Sequence, residues 1–252
     1  MTKKSVAEVQ AFADEAAPTF DPAALEAQDE VDTRVALRNT ALGEISGDVD
    51  AVRSRAPRLK IVYGVGKLSE KFNPGDLVLD NDCFLVKKGE PLVVIPLKCG
   101  VYWKEYLSRE DFTNGKIPAT YPDEATVIKQ GGTTRWANNV GPTFSLAMNI
   151  QMLIRRPEAI TSYLFGVELP DGHVYAPAEI DVDKSAYNSV GPVLRNASKL
   201  SLHKLGLTAG VFEFATKSTV SKTGNATIIP TIKLVGFNSE EVVAQVAELC
   251  GQ

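Results

Sequence analysis

The sequence predicts a mainly β (α+β) fold: an OB-like five-stranded barrel core with extra N-terminal strands and one or two helices. Three observations predict it. Residues 144–155 alternate strictly, with Phe144, Leu146, Met148, Ile150, Met152 and Ile154 on one side and more polar residues on the other. Turn-forming clusters such as Asn73-Pro-Gly-Asp76, Lys87-Lys-Gly-Glu-Pro91 and Pro170-Asp-Gly172 punctuate the chain at strand-length intervals. From 144 to 237 the element order is strand, hairpin, helix, hairpin, which is the order of an OB fold.

The first 57 residues stand apart. They carry 11 acidic and 6 basic side chains, are rich in Ala, and contain Phe12 and Phe20 as their only aromatics. Asp21-Pro22 is a helix-start signal. The stretch reads as an acidic arm, partly helical or disordered when free. A single β-rich domain is expected over 58–252.

Arg58-Leu-Lys-Ile-Val-Tyr63 reads as its first strand, ended by Gly64-Val-Gly66. Residues 77–86 and 92–103 read as the next two strands. The stretch 105–124, with Asn114-Gly115 and two prolines, reads as a long loop, and 125–130 as a short strand running into the polar loop 131–139. After the strand at 144–155, the segments 163–169 and 173–182 make a hairpin. Residues 184–204 switch to helical spacing, with Tyr187, Val190, Leu194, Ala197 and Leu200 on the buried side. A second hairpin joins 211–222 to 226–237 around Thr223-Gly-Asn225. A C-terminal helix over 238–250 follows, burying Val242, Val243, Val246 and Leu249.

Charge is distributed unevenly over this framework. The chain has a net charge of −4, yet residues 184–233 hold seven basic side chains against one acid, Glu213. A merely solvated face normally mixes signs, and local field matters more to a polyanion than total charge. Binding a single strand needs cations along the phosphate path and aromatic faces for the bases. The candidate residues are Arg135 and Trp136 in the polar loop; Lys184, Tyr187, Arg195, Lys199 and Lys204 on the helix; and Lys217, Lys222 and Lys233 on the second hairpin. Phe212 and Phe214 share one strand face and are expected to be core.

The segments Pro57-Arg-Leu-Lys-Ile-Val-Tyr-Gly-Val-Gly66 and Leu68-Ser-Glu-Lys-Phe-Asn-Pro-Gly-Asp-Leu-Val-Leu79, behind an acidic arm, resemble poorly characterised tailed-phage proteins. The later spacing of helix and Lys-containing hairpin is similar to phage single-stranded-DNA-binding proteins of replication and recombination modules. The resemblance implies single-stranded DNA as partner and a basic groove with aromatic stacking. It also implies recruitment of replication or recombination proteins, here through the acidic N-terminal arm because the C-terminus is a short amphipathic helix. The other expectation is a structural or assembly protein, of virion or scaffold type, that forms homo-oligomers.

Other chemistry has little support. His173 and His203 have no second ligand at metal spacing, and Cys83, Cys99 and Cys250 form neither a C-x-x-C pair nor an even set for disulfides. Gly64-Val-Gly66-Lys67 lacks the third glycine and the Ser/Thr of a phosphate loop. The carboxylate pairs Asp80/Asp82 and Asp181/Asp183 lie in turn-rich sequence. Neither an enzymatic activity nor a cofactor or metal is expected. The segment Met-Thr-Lys-Lys-Ser-Val is not followed by an apolar region, and no apolar run approaches the ~20 residues of a membrane span, so the cytoplasm is the expected compartment, a host's if the chain is phage-encoded.

Overall fold

The structure is a computed structural model, and residues 56–137, 140–220 and 226–250 of it are described. The arm up to residue 55, Lys222 and the Thr223-Gly-Asn225 turn lie outside the described residues.

Among the described residues, two antiparallel sheets make up the β structure. A small one is ordered β1 (Leu59–Ile61), β2 (Leu77–Leu79), β3 (Cys83–Val86). The large one contains β4 (Leu92–Glu105), β5 (Thr120–Tyr121), β6 (Phe144–Arg155), β7 (Val167–Glu168), β8 (Val174–Asp183), β9 (Gly210–Val220) and β10 (Ala226–Phe237). Its order is β10-β9-β4-β6-β8-β7, with β5 appended to β4. Neither sheet closes among the described residues. β4, outside the 144–237 unit, is the central strand: Leu92–Val94 pair with β9, and Val94–Glu105 pair with β6. The two hairpins of that unit therefore meet through β4 and not through each other.

The inner face of the large sheet carries the main core. Val94, Met148, Ile150, Met152, Ile154, Ala178, Ile180, Phe212 and Phe214 are all buried there, and the two phenylalanines are core as expected. Two layers cover this face. One is the small sheet, through Leu59, Ile61, Leu77, Leu79 and Leu85. The other is α3 (Lys184–Asn196), through Tyr187, Val190 and Leu194. On the opposite face, α4 (Glu240–Leu249) packs Val242 and Val246 onto Ile95, Leu153 and Tyr175.

Several segments differ from expectation for local reasons. Residues 77–86 form two strands, because Asp80 adopts a left-handed conformation (φ 53°) that an Asp tolerates in a turn. The expected loop at 105–124 contains a short helix, α1 (Arg109–Thr113), whose Ser108 cap accepts from Asp111 N–H, and the two-residue strand β5. The expected strand at 125–130 is a helix, α2 (Glu124–Lys129). Asp123 caps it by accepting from Thr126 N–H at 2.8 Å, and Gly131 ends it at φ 79°. The cap outweighs the adjacent Val127-Ile128 pair, of which only Val127 is buried.

Two expected core positions are exposed. After α3 the helix continues as a π-helical turn, Ala197–Ser201. Its extra residue rotates Leu200 outward (78% exposed) and brings Leu202 into the core in its place. Leu249, in the last turn of α4, is exposed as well. Among the described residues, no helix is long and apolar enough to cross a membrane.

The π-helical turn makes a testable contrast. Leu202→Ala should cost about 2–5 kcal/mol of unfolding free energy, and Leu200→Ala no more than about 0.5 kcal/mol. Urea denaturation of the two variants checks this; equal losses would contradict the assigned register.

Candidate nucleic-acid interface

The site is built outward from α3. At 100° per residue, Asn188, Pro192 and Arg195 lie within about 60° of one another. They share one stripe and are exposed, as is Lys184 at the start of the helix. Lys199 continues it in the π-helical turn, and Lys204 follows beyond. Lys184 and Arg195 are about 16 Å apart along the axis. No acidic residue occurs between Lys184 and Phe212.

Each end of the stripe is held in place. Lys184 sits in the left-handed region (φ 51°), a cost of about 1–3 kcal/mol for a non-glycine residue. Its ammonium lies over the Tyr106 ring, 4.1 Å from the centroid. Tyr187 itself is buried, so it offers no stacking surface. Its ring crosses the helix over Gly191, where a Cβ would come within 2.8 Å of it, and its hydroxyl accepts a hydrogen bond from Arg195 Nη2. Tyr187 thus orients Arg195 instead of meeting a base.

Arg135 and Trp136 lie in the loop before β6. Thr133 and Thr143 lock its stem: Thr133 N–H donates to Thr143 Oγ1 at 2.7 Å, and Thr143 N–H donates back to Thr133 Oγ1 at 3.0 Å. Trp136 is 75% exposed, and a Cβ added at Gly141 of the same loop would lie 3.5 Å from its ring. Arg135 is 3.8 Å from Glu124 and highly exposed. The Tyr106 N–H donates to Thr143 O, so the stem of this loop joins the strand end that carries the Lys184–Tyr106 contact.

Lys217 and Lys233 are separated from this group. Phe212, Phe214 and Ile232 face inward toward the core that α3 covers, and alternation sends Lys217 and Lys233 to the outer face. There Lys233 stands opposite Glu213. The outer face also carries the acids of β8 with their partners. Arg58 pairs with Glu179 at 3.3 Å and Lys104 with Asp183 at 2.9 Å. Asp181 accepts from Tyr102 OH at 3.0 Å and Asn149 Nδ2 at 3.1 Å. Burial, and then Asp181, push the Tyr102 phenol well above its ordinary range.

Elsewhere Lys71 pairs with Asp82, Lys116 with Glu105, and Lys60 donates to Asn81, while Lys67, Lys87, Lys88, Lys98, Lys129, Arg155 and Arg156 have no described carboxylate within ion-pair distance. No described carboxylate lies within ion-pair distance of Arg195, Lys199, Lys204, Lys217 or Lys233. Among the described residues, no cluster of three or more His, Cys, Asp or Glu could hold a metal ion. Burial pushes the Cys99 thiol up to about 11, which leaves it protonated at neutral pH.

Sequence reasoning missed Tyr106, Phe112, Asn188 and Lys116. Ser108 with Asp111 three residues on was a readable helix cap that would have turned attention to Phe112. Nothing local in the sequence announces the contact of Lys184 with Tyr106.

No protein-family model matches the chain, and neither the curated proteins nor the solved structures searched contain a match.

The segment after α1 is tied to β4 by one carboxylate. Glu105 accepts from Ala119 N–H at 3.0 Å and from Lys116 Nζ at 2.9 Å, and these two bonds lower its pKa. A lowered folded-state value means that this stabilisation is complete above the unfolded value, about 4.3, and is lost as pH falls through the folded one. Glu105→Gln should remove that part of the acid-side loss when stability is followed from pH 6 to pH 2. An identical acid limb in the variant would contradict the assignment.

Proposed function

We propose that this protein binds single-stranded nucleic acid, with DNA as the primary partner, along the exposed stripe of α3. The observation that carries the reading is Lys184, Arg195, Lys199 and Lys204 on one uncompensated face, with no acid within the run and no described carboxylate paired to Arg195, Lys199 or Lys204. Its physical basis is counterion release when cations replace the ions condensed on phosphates. Tyr106 and Phe112, exposed at the end where α3 begins, and the exposed Trp136 of the loop whose stem bonds to Tyr106 are suited to stacking on unpaired bases, a sequence-tolerant contact.

The reading retains the OB-like description for the element order of 144–237, with β4 completing its sheet. It leaves Lys217 and Lys233 on a secondary surface, the outer face of β9 and β10. It assigns the protein to a phage replication or recombination module in the host cytoplasm, with partner proteins engaged by the acidic arm, and no catalytic step.

A second reading, homo-oligomeric assembly, is favoured by the twelve-residue edge strand β10 and the exposed Val235 and Phe237 on it. Pro230, Lys233 and the bulge between Leu234 and Gly236 interrupt that edge, as devices against edge pairing do.

Fluorescence anisotropy with a labelled oligonucleotide at several salt concentrations tests the leading reading. Affinity should fall steeply with salt, and single strands should be preferred over duplex. Arg195→Gln with Lys199→Gln should lower the salt slope by about 1.4, two contacts at about 0.7 each. Trp136→Ala should cost about 1–3 kcal/mol. No binding to single strands at low salt would overturn the proposal, and large DNA-independent particles in light scattering would favour assembly.

A further inference from the structure

A cavity of about 500 Å³ opens beside Lys184, between the end of β4, α1 and the start of α3. Ligand pockets commonly have this size. Leu107, Phe112 and Pro118 give it an apolar wall, and Lys104, Lys116, Lys184, Glu105 and Asp183 give it charge. Phe112 is 76% exposed although it stands on a helix and lines a concavity. An aromatic ring left uncovered on a pocket wall offers a face for a flat ligand.

The charges specify the ligand further. Lys104 is neutralised by Asp183 and Lys116 by Glu105, each at 2.9 Å. Lys184 has no described carboxylate partner and rests on the Tyr106 ring. The lining therefore presents one uncompensated positive charge beside an apolar face. A phosphodiester unit carries one negative charge, and a terminal phosphate carries nearly two. The two carboxylates and Ser108 and Ser145 add hydrogen-bonding groups that can meet a base edge.

We infer that this cavity holds one nucleotide unit of a bound single strand, its base against Phe112 and its phosphodiester on Lys184. The inference rests on the single-strand reading above and extends it from a charged stripe to a seat for an unstacked base. The strand then leaves the cavity along α3 toward Arg195. An internal nucleotide fits this charge balance, so the seat does not require a strand end.

The experiment uses the full chain and a single-stranded oligonucleotide carrying 5-iodouracil, cross-linked by near-ultraviolet light, with the adduct mapped by mass spectrometry. Its companion is anisotropy with Phe112→Ala, Phe112→Trp and Lys184→Ala. The expected adducts lie between Glu105 and Pro118. Phe112→Ala should weaken binding about tenfold, within the range for loss of one base stack, and Phe112→Trp should preserve it. Because Phe112 is exposed, both Phe112 variants should keep the parent's thermal unfolding. Lys184→Ala should weaken binding and reduce its salt dependence. Salt-sensitive binding with adducts elsewhere and unchanged affinity in Phe112→Ala would overturn the nucleotide seat and leave the α3 reading standing. Absence of binding at low salt would overturn both.

Discussion

The large sheet depends on β4 being bonded along both edges. One strand fourteen residues long pairs at its start with β9 and along most of its length with β6. A regular strand of that length would keep one parity throughout. Here Pro96 pairs with Met152 and Lys98 with Gln151, so Leu97 is an extra residue and the parity is reset. Before the bulge Leu92 and Val94 face the core; after it Cys99 takes the same face, and Lys98, Tyr102 and Lys104 are kept outside. A proline in a central strand is otherwise disfavoured because it cannot donate to the ladder, and the bulge is where it is tolerated.

That reset separates two electrostatic surfaces. On the outer face, Lys104 and Arg58 meet the acids that β8 presents by alternation, and hydrogen bonds from Tyr102 and Asn149 satisfy Asp181. The inner face is apolar and is roofed by α3, which turns its own polar stripe to solvent. Arg195 and Lys199 therefore have no described carboxylate within ion-pair distance. The acids of β8 are met by cations and hydrogen bonds on the sheet's own face, and the helix keeps its cations exposed to solvent. A surface that leaves cations uncompensated forgoes local ion pairing, and a polyanion can supply it.

Much of this was legible in the sequence because it depends on local periodicity. β6 follows from the alternation of Phe144 to Ile154, and α3 from the recurrence of Tyr187, Val190 and Leu194. The cation run was legible too, since charge counting needs no fold. Three things were not. The centrality of β4 is a long-range pairing choice with no local signature. The π-helical turn exchanges Leu200 for Leu202 through one extra residue, which a regular helical count cannot foresee. The split of Lys217 and Lys233 from α3 depends on which side of β9–β10 the helix packs, a long-range choice with no local signature. At 124–129 the expected strand is a helix, because Asp123 accepts from Thr126 N–H and caps it.

Lysine-reactive footprinting of the full chain, with and without a saturating single-stranded oligonucleotide at low salt, tests the assignment of the binding face most directly. Lys184, Lys199 and Lys204 should lose reactivity on binding, and Lys217 and Lys233 should keep most of theirs. Protection confined to Lys217 and Lys233, or none at any lysine, would contradict it.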